Sequence, residues 1–396
     1  MDNLKKNLEI IREMTCPVVK NPKLKGSGPK ICFCVKADAY GHGAVPVAQY
    51  ALENGADCLA VALVSEGKEL REAGIKSRLF LLSQALPEEI DEIINEGLIP
   101  LVSDRDFINA LDAGAYAAKA AAATSAEKPA GSLTDAKQLE ASRFEVHLKI
   151  DTGMNRLGCR PDQALELASL ISNSKNLRLG GIASHFSVSD STKPQDMAYT
   201  REQIACFLKT IDKIRQAGID PGELHASNSG AVCFHRDANF DMIRPGIMLY
   251  GYSTMESEMN SSIKPALKPL LELQSAVVHI KKVCKGEAVS YGRTWKAQDH
   301  TYIGILPIGY ADGLPRLLSN QYQVQIRGKA YPLVGRICMD QCMVNLGSSG
   351  EIQRWDKAVI FGPGFTNAQD IANITGTIPY EILCNINKRV PRLYLK

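Results

Sequence analysis

The sequence predicts an α/β protein, a (β/α)8 TIM barrel followed by a mostly-β C-terminal domain. Three observations carry that expectation. Eight short apolar runs alternate with stretches of helical spacing over about 220 residues. No G-x-G-x-x-G follows the first run, which weighs against a doubly wound open sheet, the alternative. Beyond Leu270 helical spacing is absent, and Val-, Ile-, Tyr- and Thr-rich segments are separated by Gly, Pro and Asp turns. The two domains are expected at residues 1–262 and 263–396.

Taken in order, residues 3–14 carry Leu4, Leu8, Ile10 and Ile11 at the spacing of a helix with one apolar face. KNPKLKGSGPK, residues 20–30, is a basic Pro/Gly loop. Strand-like runs follow at 31–35, 57–63, 78–83, 98–103, 144–150, 179–185, 223–226 and 241–244. A short apolar run bounded by turn residues fits a strand buried on both faces, as a parallel barrel requires. Helical patterns lie between them at Ala44–Asn54, Ser65–Ala73, Pro87–Glu96, Pro161–Asn173 and Gln195–Gln216. Residues 113–138 are alanine-rich and offer little to bury, so they are expected to form a surface insertion, part helix and part mobile loop. STMESEMNSSIKPALKP, from Ser253, reads as a linker. The segments LLELQSAVVHIKKV, TYIGILPIG, YQVQIRG, YPLVGRICMDQCMVNL and KAVIFGPG then build the second domain.

Composition excludes several classes. Lys and Arg total 46 against 43 Asp and Glu, too balanced for a nucleic-acid or anionic-membrane partner. No apolar run reaches membrane-spanning length, and the charged amphipathic N-terminus does not read as a signal peptide. The 11 cysteines are odd in number, include no C-x-x-C pair, and place Cys32 and Cys34 in a core strand. They are expected to be reduced thiols of a cytoplasmic protein. Cys338 and Cys342 have no histidine near them in sequence, so no metal site is expected.

The chemistry centres on ICFCVKADAYGHG, residues 31–43. Lys36 stands where a buried strand meets its loop, the edge at which parallel barrels bind ligands. An amine held against apolar walls is a candidate nucleophile toward an aldehyde. An arbitrary lysine at a strand end is more often a solvated cap, so the neighbouring motifs have to decide. Together with VKADAYGHG, the stretches LKIDTGMNRLG (148–158), ASHF (183–186), HASNSG (225–230), IRPGIMLYG (243–251), VSYGRT (289–294), IGYADGLPR (308–316), GRICMDQ (335–341) and PYE (379–381) run in one order along nearly the whole chain. In that order they resemble the alanine racemase family, pyridoxal 5'-phosphate (PLP) enzymes built as a barrel plus a β domain.

The resemblance implies interconversion of L- and D-alanine, supplying D-alanine for peptidoglycan, by a shared-site homodimer. It implies that Lys36 holds PLP as a Schiff base. Tyr40, Ser229, the backbone of Gly246 and Ile247, and Tyr380 would contact its phosphate. That fits a phosphate on the loops after the seventh and eighth barrel strands. Arg244 would face the pyridine nitrogen. An arginine keeps its proton, so the ring would be a weaker electron sink than with a carboxylate partner, and transamination would be suppressed. Racemisation needs a second base on the other face, and the resemblance gives that role to Tyr291 from the partner subunit. A tyrosine needs cationic neighbours to serve as a base, and His185 and Arg244 are the family's hydrogen-bonded chain to it. Arg156, with Met339 and Asp340 of the partner, would meet the substrate carboxylate. Lys149 matches a lysine that many members carry as a carbamate, which would hold Arg156 in place. Asp190, Arg316 and Arg336 match positions along the corridor into the site.

Two departures accompany the match. Family members begin with a W-x-E-I-D-L strand ahead of the first helix, whereas this sequence starts at the helix; either the true start lies upstream or the β domain manages without that strand. The 113–138 stretch is the other. Alternatives are a broad-specificity or serine racemase and a barrel-type PLP amino-acid decarboxylase, which would need a cysteine proton donor in place of SYGRT.

Overall fold

The computed structural model describes residues 1–16, 28–125, 143–253 and 266–395. The expected domain boundary at 262/263 and residues 126–138 of the alanine-rich stretch lie outside them.

Eight parallel strands form the first half: β1 (Lys30–Cys34), β2 (Cys58–Val61), β3 (Leu79–Leu81), β4 (Ile99–Val102), β5 (Phe144–Lys149), β6 (Leu177–Ala183), β7 (Glu223–His225) and β8 (Met242–Ile243). Each begins and ends within two residues of its sequence expectation, and β2, β3, β4 and β8 are shorter by two or three residues. The ladder runs β7-β6-β5-β4-β3-β2-β1-β8. Strand β1 pairs with β8 through Lys30↔Met242 and Ile31↔Ile243. Backbone bonds from Asp241 N to Leu224 O (3.0 Å) and from Arg244 N to Ser227 O (2.8 Å) join β7 to β8 and bring the ring round on itself. The strands read as continuous apolar runs because helices cover the sheet outside while side chains fill it inside; Ile31, Phe33, Leu59, Phe80 and Leu148 are among those fully buried.

The helices fall where the spacing puts them, at Asp2–Thr15, Ala44–Glu53, Val64–Glu72, Ile90–Asn95, Ala164–Asn173 and Pro194–Gln216. The alanine-rich stretch is helical over 113–125, continuing a helix that starts at Arg105. Phe107, Ile108 and Leu111 bury the first turns of that helix, whereas from 113 to 121 Ala115 alone is buried and Tyr116 is exposed. A Cβ on Gly114 would lie 2.7 Å from Ile90 and 2.8 Å from Ile94. Small residues here let two helices approach closely, which a count of large apolar residues does not register.

The second half is mostly β. Strands β9 (Leu273–Ala276), β10 (His279–Val283), β11 (Ala288–Val289), β12 (Trp295–Lys296), β13 (Thr301–Leu306), β14 (Gln323–Ile326), β15 (Lys329–Pro332), β16 (Cys342–Gly347) and β17 (Lys357–Phe361) form antiparallel sheets ordered β10-β13-β16 and β15-β14-β17-β9, plus the β11–β12 hairpin. The run 270–283, one apolar stretch in sequence, breaks at Val277–Val278 and serves both larger sheets. Two helices, Ala368–Thr375 and Pro379–Cys384, correct the expectation that helical spacing is absent after Leu270. The first is marked by Asn367, whose side chain accepts from Gln369 N at its N-terminus. The second packs on the Lys36–Gly41 segment and so brings this domain to the barrel mouth.

Candidate active site

The C-terminal ends of the barrel strands collect the basic residues. Val35 N bonds Ala60 O of β2, and Lys36 follows at the rim. The chain then does something rare. Ala37, Asp38, Ala39 and Tyr40 all take positive φ, 51 to 54°, a left-handed turn made without glycine. Each such residue costs about 1–2 kcal/mol, so surrounding contacts must hold the turn. Glu66 accepts from Ala37 N at 2.6 Å, and Asp38 Oδ1 accepts from Ala44 N at 2.7 Å. His42 Nδ1 lies 2.8 Å from Tyr40 O. Since a carbonyl only accepts, the proton is on Nδ1, and burial lowers this imidazole to about 4.

The turn buries Tyr40. Its ring stacks 4.6 Å from Tyr250 and 5.9 Å from Tyr380, and Tyr250 Oη donates to Cys34 O at 2.7 Å. Gly246 follows β8, and its N–H donates to Ser229 Oγ at 2.9 Å. A Cβ on Gly246 would sit 2.5 Å from Tyr40 Oη. Ser229 is the first residue of the Ser229–Phe234 helix, and Ile247 opens a short 3-10 turn to Tyr250. Tyr40, Ser229, Gly246 and Ile247 thus meet in one small cradle, with Tyr380 against its edge.

Arg244 lies beneath, 5% exposed. Its Nη1 reaches His225 Nδ1 at 2.5 Å and donates to His225 O at 2.8 Å; its Nη2 donates to Ser184 O at 2.6 Å. The guanidinium thus bonds His225, a residue the motifs leave unassigned, and its charge also acts on His185. None of these partners is a carboxylate. Lys149, at the end of β5, is nearly buried, and burial, Arg244 and Arg156 lower its amine to about 8 despite the opposing Asp151. His185 is held well below its ordinary value by burial and then by Arg244, Lys149, Arg156 and Lys36. Lys36, Lys149, Arg156 and Arg244 therefore share one electrostatic neighbourhood, a pocket of positive charge suited to anions. Arg156 itself is exposed at its rim.

The remaining sequence candidates lie elsewhere. Tyr291 is 72% exposed on a 3-10 turn flanked by Ser290 and Arg293 at positive φ. Ser290 Oγ donates to Arg336 O at 2.6 Å, and Met339 is 54% exposed nearby. Asp340 pairs with Arg389 Nη2 at 2.8 Å. Arg316 and Arg336 are exposed, and Ser319 Oγ links the Arg316 turn to Ile337 N. These five residues form one open face of the β domain. Asp190 is on the barrel side, its backbone against Gly230 and its charge raising Tyr380 after burial. Sequence reasoning missed Glu66, His42, Tyr250 and Tyr310. Tyr310 is 44% exposed, and its loop bonds the Cys338 and Met339 carbonyls, which puts it on the open face. Its one sequence signal is an aromatic inside the glycine-bearing IGYADG; Glu66 has none, because its partner in the turn is 29 residues away.

Comparison with known proteins follows this architecture. The model of the alanine racemase N-terminal domain matches residues 1–254, and that of the alanine racemase C-terminal domain matches 270–394. An alanine racemase of Treponema denticola is 46% identical over 401 aligned positions, spanning 100% of this chain and 96% of that protein. One from Desulforamulus reducens is 38% identical, covering 98% and 97%. Among solved structures, alanine racemase of Clostridium difficile 630 superposes with TM-score 0.85 at 32% identity, over 98% of this chain and 92% of that one. That of Bacillus anthracis with bound L-Ala-P gives 0.83 at 30% identity, over 100% and 93%. With family models matching both halves of the chain and relatives similar along its whole length, the chain belongs to the alanine racemase family.

Proposed function

We propose that this protein is a PLP-dependent alanine racemase that interconverts L- and D-alanine with two bases, Lys36 and Tyr291. The observation that carries the reading is Arg244, a buried guanidinium at the barrel mouth bonded to His225 and to carbonyls rather than to a carboxylate. The residues present fit PLP. The cradle of Tyr40, Ser229, Gly246 and Ile247 is one that a single Cβ at Gly246 would close, it suits a phosphate, and Tyr380 completes it. Lys36 stands at the rim as the covalent anchor. PLP, when bound, supplies an electron sink that makes the amino-acid Cα–H acidic.

The chain's residues then decide the outcome. Arg244 keeps its proton at any working pH, so it would hold the ring nitrogen of bound PLP by donating a hydrogen bond and would not protonate it, which favours return of the proton to Cα. His185, neutral, adds no charge to an already basic pocket. Lys149, with an amine near 8, has a neutral fraction at physiological pH that can add carbon dioxide as a carbamate. That exchanges a cation for an anion and gives Arg156 a partner while it binds the substrate carboxylate. Lys36 Nζ takes or returns the proton on one face, and Tyr291 Oη on the other.

Tyr291 is supplied by a second copy. Its 72% exposure, with Met339, Arg316 and Arg336 on the same open face, suits a surface that completes another subunit's site; Asp340 and the barrel's Asp190 would border the corridor. We therefore propose a homodimer with shared sites and two domains per chain, at 1–262 and 263–396. A cytoplasmic protein supplying D-alanine for peptidoglycan fits its thiols: the 11 cysteines are all free. Among the described residues no helix is long and apolar enough to cross a membrane. Chiral chromatography of L-alanine and L-serine incubated with protein and PLP tests the reading. D-alanine should accumulate to parity and D-serine far more slowly, and Lys36→Ala should abolish both. Equal rates for the two amino acids would favour a broad-specificity racemase, and activity in Lys36→Ala would end the proposal.

A further inference from the structure

A line of hydrogen bonds crosses the barrel interior from the mouth to the opposite end. Arg244 Nη1 lies 2.5 Å from His225 Nδ1. His225 Nε2 lies 2.8 Å from His147 Nδ1, and His147 Nε2 lies 3.0 Å from Glu145 Oε1. Both imidazoles are fully buried. The proton positions follow from what each group can do. Arginine only donates, so His225 Nδ1 accepts. A neutral imidazole then carries its proton on Nε2 and donates it to His147 Nδ1. His147 in turn carries its proton on Nε2, facing a carboxylate that only accepts. Burial foremost, and Arg244 next, hold His225 well below its ordinary value. Burial lowers His147 as well, although Glu145 works against it. With both rings neutral, every N–H in the line points the same way.

Glu145 anchors the far end. Burial opposes its charge, but the bonds from His147 and Arg78 hold its carboxyl at about 2. Arg78 Nη2 reaches it at 2.6 Å, and Arg178 also bonds it. Arg78 and Lys30 share Glu223, and the ring of Phe80 packs 5.0 Å from His147 and 5.7 Å from His225. Lys149 adds positive charge from the mouth side of His225.

We infer that Glu145 is a positioning residue for Arg244, anchoring the far end of the His147–His225 line and with it the set of the guanidinium that meets the cofactor ring nitrogen. The cofactor clause rests on the PLP reading above; the direction of the line does not. A glutamine at 145 has one acceptor oxygen for three donors, His147 Nε2–H, Arg78 and Arg178, so the charge-assisted bond that anchors the line is lost.

Nitrogen-15 NMR of histidine-labelled protein, with and without PLP, reads the tautomers directly. His147 and His225 should both be neutral with Nδ1 unprotonated, and in Glu145→Gln the Nε2–H resonance of His147 should move as its bond to a carboxylate is lost. With PLP bound, kcat should fall about tenfold while KM stays within about twofold, the loss of one charge-assisted hydrogen bond. His147→Leu, which cuts the line but leaves Glu145 its arginines, should lower kcat similarly and guards against a Glu145 variant that does not fold. Lys30→Met, in the same ion cluster but off the line, should lower thermal stability alone. Protonation of His225 Nδ1 in the wild type overturns the direction. Glu145→Gln and His147→Leu proteins that lose stability but keep kcat within about twofold overturn the positioning role. Failure of the PLP reading would show separately, as wild-type protein that forms no visible absorbance band with PLP.

Discussion

Replacing Glu66 by alanine should loosen the turn that carries Lys36 into the barrel mouth. The turn's four left-handed residues together cost about 4–8 kcal/mol relative to ordinary backbone. Glu66 offsets part of that by accepting from Ala37 N at 2.6 Å, Ala62 N at 2.8 Å and Leu63 N at 3.1 Å. Hydrogen bonds to a buried charged group contribute about 1.5–3 kcal/mol each, but this site is half open to water, so about 1 kcal/mol each is the better figure. Glu66→Ala should therefore lower the free energy of local opening by about 2–3 kcal/mol. Glu66→Gln, which keeps one acceptor oxygen, should lose about half of that. Asp38, bonded to Ala44 N, still closes the far side, so the loss should stay local. Hydrogen exchange followed by mass spectrometry, read on peptides spanning residues 36–43, measures the opening. A change below about 0.5 kcal/mol would show that Glu66 does not hold the turn and that the left-handed backbone is supported from elsewhere.

Gly246→Ala sets a methyl 2.5 Å from Tyr40 Oη; with neither side free to move, PLP affinity by equilibrium dialysis should drop at least about tenfold, and unchanged affinity would remove Gly246 from the cradle. Lys149, near 8 in the fold against 10.5 unfolded, binds its proton less well when folded, so its cost to stability is full below pH 8 and fades as pH rises toward 10.5. The gap in urea stability between wild type and Lys149→Met, in bicarbonate-free buffer, should narrow by on the order of 3 kcal/mol over that window; a gap that does not change with pH would contradict the depressed amine. Tyr291→Phe should slow solvent-deuterium exchange from one enantiomer of alanine far more than from the other, with equal losses counting against two separate bases. Mixing Lys36→Ala with Tyr291→Phe subunits should restore activity, and a fully active monomer would dispose of the shared site.

The barrel was legible because its strands are buried on both sides. Runs such as ICFC and CLAV admit few other structures, and the helices between them keep a 3.6-residue period. What stayed hidden depends on pairs of residues far apart. Gly114 and Ala115 look like filler until Ile90 and Ile94 are set against them. The left-handed turn cannot be read from KADAY, since alanine and tyrosine carry no preference for positive φ; Glu66 and Asp38 impose it from outside and within. The helix at Pro379–Cys384 is six residues long, too short for periodicity to register. At the site, motif matching found the residues lining the mouth, while the His147–His225 line joins residues 78 apart in sequence and needed coordinates. The exposure of Tyr291 was also invisible in sequence, because a strand-like aromatic is ordinarily packed on its sheet.

The pairing of β1 with β8 sets an order of events during synthesis. Lys36 leaves the ribosome early, but Arg244 and the loop at Gly246 follow about 200 residues later, and Tyr380 later again. At translation speeds of about 5–20 residues per second, the lysine turn waits roughly 10–40 s for the strand that completes its cradle. Over that interval its left-handed backbone lacks the support of Tyr250 and Tyr380. The cradle proposed for a phosphate is thereby completed only when the first strand meets the last.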